Sequence, residues 1–148
     1  MNPRPYSSMV LALWGLIVIG MGLYFALLRP AVLPEDARYM GTEISELRTA
    51  IPGLLNWLKK VFWVMGGYIL TVGLLTFYVA LTSFQSRTKG VFSIVTLAGL
   101  TSIGWMAAVN FIIDSDYKWL LLAFAAVWGA ALALFWLEGR GERRTTNV

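Results

Sequence analysis

The chain has 148 residues, of which 58% are hydrophobic and 14% are charged, and its formal net charge is +4. Because soluble globular domains carry about 25% charged residues, this composition argues against an ordinary soluble domain. The chain contains no cysteine and no histidine, which excludes disulfides, thiol chemistry, histidine general bases and histidine-ligated zinc or haem.

Four stretches without charged side chains are long enough to cross a membrane. They are residues 9–28, 61–83, 91–113 and 119–137. A hydrocarbon core about 30 Å thick needs roughly 20 helical residues, and backbone groups in lipid must be paired within their own segment. We therefore predict an all-α fold: an integral membrane bundle of four transmembrane helices in a single domain, residues 1–148. The first stretch lacks a small-residue cleavage pattern at its end, which favours a retained anchor over a cleaved signal peptide.

The polar segment 29–60 between the first two spans carries helix signals of its own. Pro34 suits the first position of a helix, and Gly41 suits its end. Thr42 is a candidate cap for a second short helix before Pro52. We predict a partly helical, ordered extramembrane loop.

Asn110 is the only strongly polar side chain within a predicted span. An interhelical hydrogen bond, to Thr71, Tyr68 or a backbone carbonyl, is the favoured interpretation, since unpaired polar groups are costly in lipid. The alternative is a ligand contact. In that case Asn110 would line a polar interior with Tyr68, Thr71 and Tyr78 and bind or transport a neutral or lipid-like ligand.

Glu35, Asp36 and Arg38 form a second candidate ligand-binding group in the loop, on the same predicted side as Asp114 and Asp116. Paired carboxylates can transfer protons when a substrate lies within reach. A solvated or salt-bridged surface is the favoured interpretation, and a lipid-acting surface enzyme using these residues is the alternative. We expect no catalytic residue, no metal site and no cofactor, so an enzyme is the less favoured class.

The predicted spans contain no Asp, Glu, Lys or Arg, which argues against a proton-coupled carrier. Small residues are abundant instead, and the fourth span carries a heptad-like seam of alanines: Ala123, Ala126, Ala130 and Ala133. Such seams allow close helix packing; packing within the chain is the favoured interpretation, and packing in an oligomer or against a partner is the alternative. The leading hypothesis is a non-enzymatic accessory or assembly subunit. Its expected partners are the lipid bilayer and a homo-oligomer or larger membrane complex, and no nucleic acid is expected because no basic stripe carries exposed aromatics.

Basic residues near the span ends give an expected orientation. Six lie on the side of the termini and six on the side of the loop: Arg4, Arg87, Lys89, Arg140, Arg143 and Arg144 against Arg29, Arg38, Arg48, Lys59, Lys60 and Lys118. The first six lie in a shorter length of chain, so the positive-inside rule favours cytoplasmic termini and a periplasmic or extracellular loop 29–60. We expect a multi-pass protein of the inner (plasma) membrane.

The loop motif LPEDARYMG (33–41), followed by VFWVMGGY (61–68), resembles small four-helix bacterial membrane proteins of uncharacterised function. In helix number and size the chain is loosely similar to the DoxX-like group. The resemblance implies a bacterial membrane bundle and transfers no functional residue to this sequence.

Overall fold

A computed structural model describes the backbone of residues 5–145 and the side chains of residues 5–140. Arg4 and the side chains of Arg143 and Arg144, which entered the orientation count, lie outside the described residues. Throughout residues 5–145 the regular structure is helical, without strands. The predicted all-helical fold is therefore confirmed.

Seven α-helices follow one another along this part of the chain, and three of them run directly into a π-helical turn. The elements are α1 (Tyr6–Leu23, then the π turn Tyr24–Leu28), α2 (Pro34–Met40), α3 (Ile44–Ala50), α4 (Leu54–Val79, then the π turn Ala80–Phe84), α5 (Val91–Gly99, then the π turn Leu100–Gly104), α6 (Trp105–Ile112) and α7 (Lys118–Thr145).

Four helical units within the described residues are long and apolar enough to cross a membrane, as the sequence predicts: Tyr6–Leu28, Leu54–Phe84, Val91–Ile112 and Lys118–Arg140. The second begins at Leu54, seven residues before the predicted start, because the amphipathic segment ahead of it continues the same helix. Lys60 lies in this added part, with its ammonium nitrogen 3.7 Å from the Trp63 ring centroid.

The loop between α1 and α4 contains two short helices. Pro34 is the first residue of α2, and Gly41 ends it in the left-handed conformation (φ 69°), which glycine adopts without steric cost. Glu43, not Thr42, occupies the N-cap of α3. The Thr42 hydroxyl instead donates a 2.6 Å hydrogen bond to Glu46, so it supports the first turn from outside the helix.

The closest helix packing joins α1 and α4, which run antiparallel. Gly15 and Gly22 are seven residues apart on α1, and Gly66 and Gly73 are seven apart on α4, so each pair faces one side of its helix. A Cβ added at Gly66 would lie 2.5 Å from the backbone nitrogen of Ala26 and 2.8 Å from the carbonyl oxygen of Gly22. We call these four residues the glycine seam.

The glycine seam brings backbone against backbone. A Cβ at Gly73 would lie 2.6 Å from the nitrogen of Ile19 and 3.0 Å from the carbonyl oxygen of Gly15, and one at Gly22 would lie 2.5 Å from the nitrogen of Leu70. Lipid supplies no hydrophobic drive between helices, so their association depends on dispersion contacts at such short range. Residues without a side chain are therefore required at these four positions.

The third helical unit, Val91–Ile112, packs against α7 through an indole ring. Trp128 of α7 lies directly over Gly99, at the place where α5 passes into its π turn. The Trp128 indole donates a 3.3 Å hydrogen bond to the carbonyl oxygen of Val95. Ser102 donates a 2.6 Å hydrogen bond to the carbonyl oxygen of Ala98, which pairs a backbone acceptor beside the irregular turn.

The largest fully buried side chains among the described residues lie toward the end of the bundle at which α1 begins, which we call the terminal end. Leu11 and Trp14 of α1 are buried in one cluster with Phe84, the last residue of the π turn that follows α4. Phe84 and Phe92 both contact Phe135 of α7, with ring centroids 4.4 Å and 5.5 Å from it. This aromatic layer joins α4, α5 and α7 beneath the surface at that end.

Adjacent glycines of α4 provide a matched test of the glycine seam. We expect Gly66→Ala to lower the free energy of unfolding by about 1–3 kcal/mol, since the added methyl group would press on fixed backbone atoms. Gly67, which has nothing within 4 Å of an added Cβ, is the control. Gly67→Ala should be neutral or stabilising by about 0.5–1 kcal/mol. Thermal unfolding in detergent, followed by circular dichroism, measures both, and equal effects would contradict this packing.

Candidate functional site

The loop helix α2 is docked on the turn between α6 and α7. The Arg38 guanidinium donates 3.0 Å hydrogen bonds to the carbonyl oxygen of Asp114 and to the carboxylate of Asp116. Ser115 donates a 3.3 Å hydrogen bond to the buried carboxyl group of Glu35. We call these five residues the loop clasp. It joins two of the three predicted loop residues to the acidic turn that the sequence places on the same side.

Asp36, the third predicted loop residue, faces the end of α1 rather than the loop clasp. Its carboxylate accepts hydrogen bonds from Arg29, at 3.1 Å, and from the backbone N–H of Leu33, at 2.9 Å. Arg29 also lies over the Phe62 ring, 3.6 Å from its centroid. Asp36 therefore links α2 to the junction of α1 and α4.

Two side chains of the loop clasp have shifted pKa values. Hydrogen bonding to Asp116, together with its negative charge, raises the pKa of Arg38 above its ordinary value. A hydrogen bond from Lys118, reinforced by its positive charge, lowers the pKa of Asp114 below its ordinary value. Both charges are thus held by neighbours of opposite sign.

The chemistry of the loop clasp is that of a structural fastening. Arg38 bridges α2 to the turn, and Ser115 also accepts a 3.1 Å hydrogen bond from the backbone N–H of Tyr117 as α7 begins. Among the described residues, no group of three His, Cys, Asp or Glu side chains is arranged to hold a metal ion. The groups of the clasp bond to one another and to residues at the start of α7.

The residues predicted to line a polar interior are not brought together. Asn110 donates a 2.9 Å hydrogen bond to the carbonyl oxygen of Met106, one turn earlier in its own helix. Thr71 bonds in the same way to Gly67, at 3.0 Å. Tyr68 and Tyr78 lie on the outer face of α4, with 72% and 66% of their surface exposed.

A polar group that the sequence analysis did not single out joins the ends of three helical units. Glu138 of α7 accepts the backbone N–H of Ser7 at 3.1 Å and the Ser7 hydroxyl at 2.6 Å. Arg87, in the turn between α4 and α5, forms a 3.1 Å ion pair with Glu138 and donates to the carbonyl oxygen of Phe135 at 2.9 Å. We call Ser7, Arg87 and Glu138 the terminal cluster.

The terminal cluster escaped prediction because its members are distant in the sequence and because the fourth span was predicted to end at residue 137. The one available signal was the charge pattern: Glu138 is the first charged side chain after the apolar stretch 119–137. Such an acid at the end of an apolar span needs a partner if it is partly buried. Ser8 adds a further tie by donating its hydroxyl to the carbonyl oxygen of Ala80.

Comparison with protein-family models, with curated proteins and with solved structures finds no match to this chain. The resemblance to DoxX-like proteins therefore stays a prediction from the sequence.

Arg38 should hold helix α2 on the α6–α7 turn, because its guanidinium donates to both Asp114 and Asp116. We expect a spin label at Tyr39→Cys, an exposed position of α2, to be immobile in the otherwise wild-type protein. Arg38→Gln should free the label, whereas Arg48→Gln, in α3, should not. A label that is equally immobile with Arg38→Gln would contradict this docking.

Proposed function

We propose that the chain is a non-enzymatic, multi-pass integral membrane protein that acts as an accessory or assembly subunit. It contacts a neighbouring membrane helix through α7, in a homo-oligomer or a larger complex. Four helical units of membrane length support the membrane assignment. A bacterial inner membrane is the proposed location, in line with the sequence resemblance.

One observation carries this proposal: the alanine seam of α7 is exposed. Ala123, Ala126, Ala130 and Ala133 all lie on the outer face of the helix. The opposite face supplies the buried residues Leu121 and Ala131. These four alanines therefore do not serve packing within the chain.

The contrast with the first two helical units sharpens this point. In those units all four residues of the glycine seam are buried in the contact between α1 and α4. A seam of small residues facing outward leaves a shallow, smooth strip on which another helix can approach closely. Packing within the chain, which is the interpretation favoured from the sequence, does not account for the exposure of all four alanines.

Binding of a neutral or lipid-like ligand at Asn110 stays a prediction from the sequence. The outward position of the α4 hydroxyls and the local hydrogen bond of Asn110 give it no geometric support. Lipid-directed catalysis by Glu35, Asp36 and Arg38 likewise stays a sequence-based alternative, since their contacts fasten the loop.

Bulky residues in the alanine seam should disrupt assembly. We expect Ala126→Leu combined with Ala130→Leu to weaken association about tenfold or more, because overpacking a close helix contact costs about 1–3 kcal/mol. Ala98→Leu is the matched control, since Ala98 is an exposed alanine of α5. Cross-linking and mass photometry in mild detergent measure the assembly. A wild-type particle that is strictly monomeric and carries no co-purifying protein would contradict the proposal.

We also propose cytoplasmic termini and a loop 29–60 outside the cytoplasm. The chain lacks cysteine, so single cysteines can report the side of the membrane directly. Thr49→Cys, in α3, should react with a membrane-impermeant maleimide in intact cells. Thr88→Cys, between α4 and α5, should react only after permeabilisation. The reverse pattern would invert the orientation, and labelling of both sites in intact cells would contradict a membrane barrier between them.

A further inference from the structure

A groove lies at the terminal end of the bundle, between the α4–α5 turn and the end of α7. It has a volume of about 570 Å³ and is lined by basic and aromatic side chains, among them Arg87, Lys89, Phe92, Phe135, Trp136 and Arg140. This volume is in the range of about 300–1,000 Å³ that small-molecule sites occupy. The groove is open on one side, so a ligand head could enter it while the rest of the molecule stays outside.

The charge balance of the groove favours an anion. Glu138 is the one acid beside it within the described side chains, and its carboxylate is already matched by Arg87 at 3.1 Å. Lys89 and Arg140 are exposed and form no ion pair with any residue whose side chain the structure describes. Two positive charges therefore remain for a ligand.

Arg140 is held in an orientation suited to a phosphate. Its guanidinium carbon lies 3.3 Å from the centroid of the Trp136 ring. Stacking fixes the guanidinium plane and leaves its N–H groups free at the edge, where they can form paired hydrogen bonds to phosphate oxygens. On the facing wall Lys89 supplies a compact point charge, and Thr88 adds a hydroxyl.

The position of the groove selects a lipid over a dissolved ion. Three helical units of membrane length end or begin there: α4 ends, α5 begins and α7 passes beyond its apolar part. Trp136 is half exposed and Phe92 is partly exposed, as is typical of aromatic side chains at the depth of lipid headgroups. A phospholipid whose phosphate lay in the groove would place its acyl chains beside the apolar surface of α5 and α7.

We propose that this groove binds the phosphodiester headgroup of an anionic phospholipid through Lys89 and Arg140, with Trp136 as the platform. The site rests on the proposed membrane insertion and is independent of the alanine seam on the outer face of α7. Arg87 keeps a structural part, as the partner of Glu138 and Phe135.

The test titrates delipidated protein in detergent with phosphatidylglycerol and, separately, with phosphatidylcholine, and counts bound lipids by native mass spectrometry. The wild type should bind phosphatidylglycerol more tightly than phosphatidylcholine. Lys89→Gln combined with Arg140→Gln should weaken binding of phosphatidylglycerol about tenfold to thirtyfold. The charge-conserving variant Lys89→Arg, which leaves the stacked Arg140 in place, should retain binding within about threefold.

The control removes the same charge at the other end of the bundle. Lys59 and Lys60 are also exposed, and Lys60 also lies over a tryptophan. Lys59→Gln combined with Lys60→Gln should change the affinity by less than about threefold. Equal losses in both double variants would show a general charge effect and overturn the site, as would an unchanged affinity in the Lys89/Arg140 variant.

A competition arm separates a lipid from free phosphate. Inorganic phosphate at 10 mM should leave phosphatidylglycerol bound; complete displacement would reassign the groove to a soluble phosphate and overturn the lipid proposal. A carbonate-extraction assay on membranes distinguishes a failure of the proposed membrane insertion from a failure of the proposed lipid site. Protein released by carbonate would refute membrane insertion itself, whereas protein that is retained but lacks lipid selectivity would refute only this site.

Discussion

The approach of α1 to α4 at backbone distance is the constraint on which the bundle depends. At Gly22 and Gly66 the two helices approach so closely that a single added methyl group would collide with a backbone nitrogen of the other helix. A contact of this kind fixes the register as well as the distance, since sliding one helix by a few residues would bring side chains into the seam. The position of the loop helix α2 follows from it, because Arg29, Asp36 and Phe62 tie α2 to the junction of these two helices. The hydroxyl of Ser8 fixes the other end of the pair against Ala80.

The remaining helices are held together by aromatic side chains rather than by backbone contacts. Trp128 packs an indole on Gly99 and donates a hydrogen bond beside a π turn, and the Phe84, Phe92 and Phe135 rings form a layer that closes the terminal end. Above that layer the terminal cluster pairs its charges. The bundle thus combines a close backbone contact on one side with aromatic packing on the other, and its polar contacts concentrate at the two ends.

Periodicity and helix signals could predict the four long helices, the start of α2 at Pro34 and its end at Gly41, because these features depend on local sequence. The small residues of each helix could also be found. Which of these small residues face another helix could not be predicted, since Gly66 and Gly67 look alike in sequence and only Gly66 contacts a neighbouring helix. Charge grouping placed Arg38 on the same side as Asp116, and the structure joins them. The terminal cluster and the basic groove could not be anticipated, because both depend on which helix ends converge.

The hydrogen bonds between Ser7 and Glu138 span 131 positions of the chain. A ribosome makes Ser7 well before Glu138, so the start of α1 obtains its carboxylate acceptor only when that part of α7 has been synthesised. The same late carboxylate supplies the ion-pair partner of Arg87. Closure of the terminal end therefore requires that α7 has already been made, and a nascent chain that lacks α7 presents polar groups there that the folded molecule pairs.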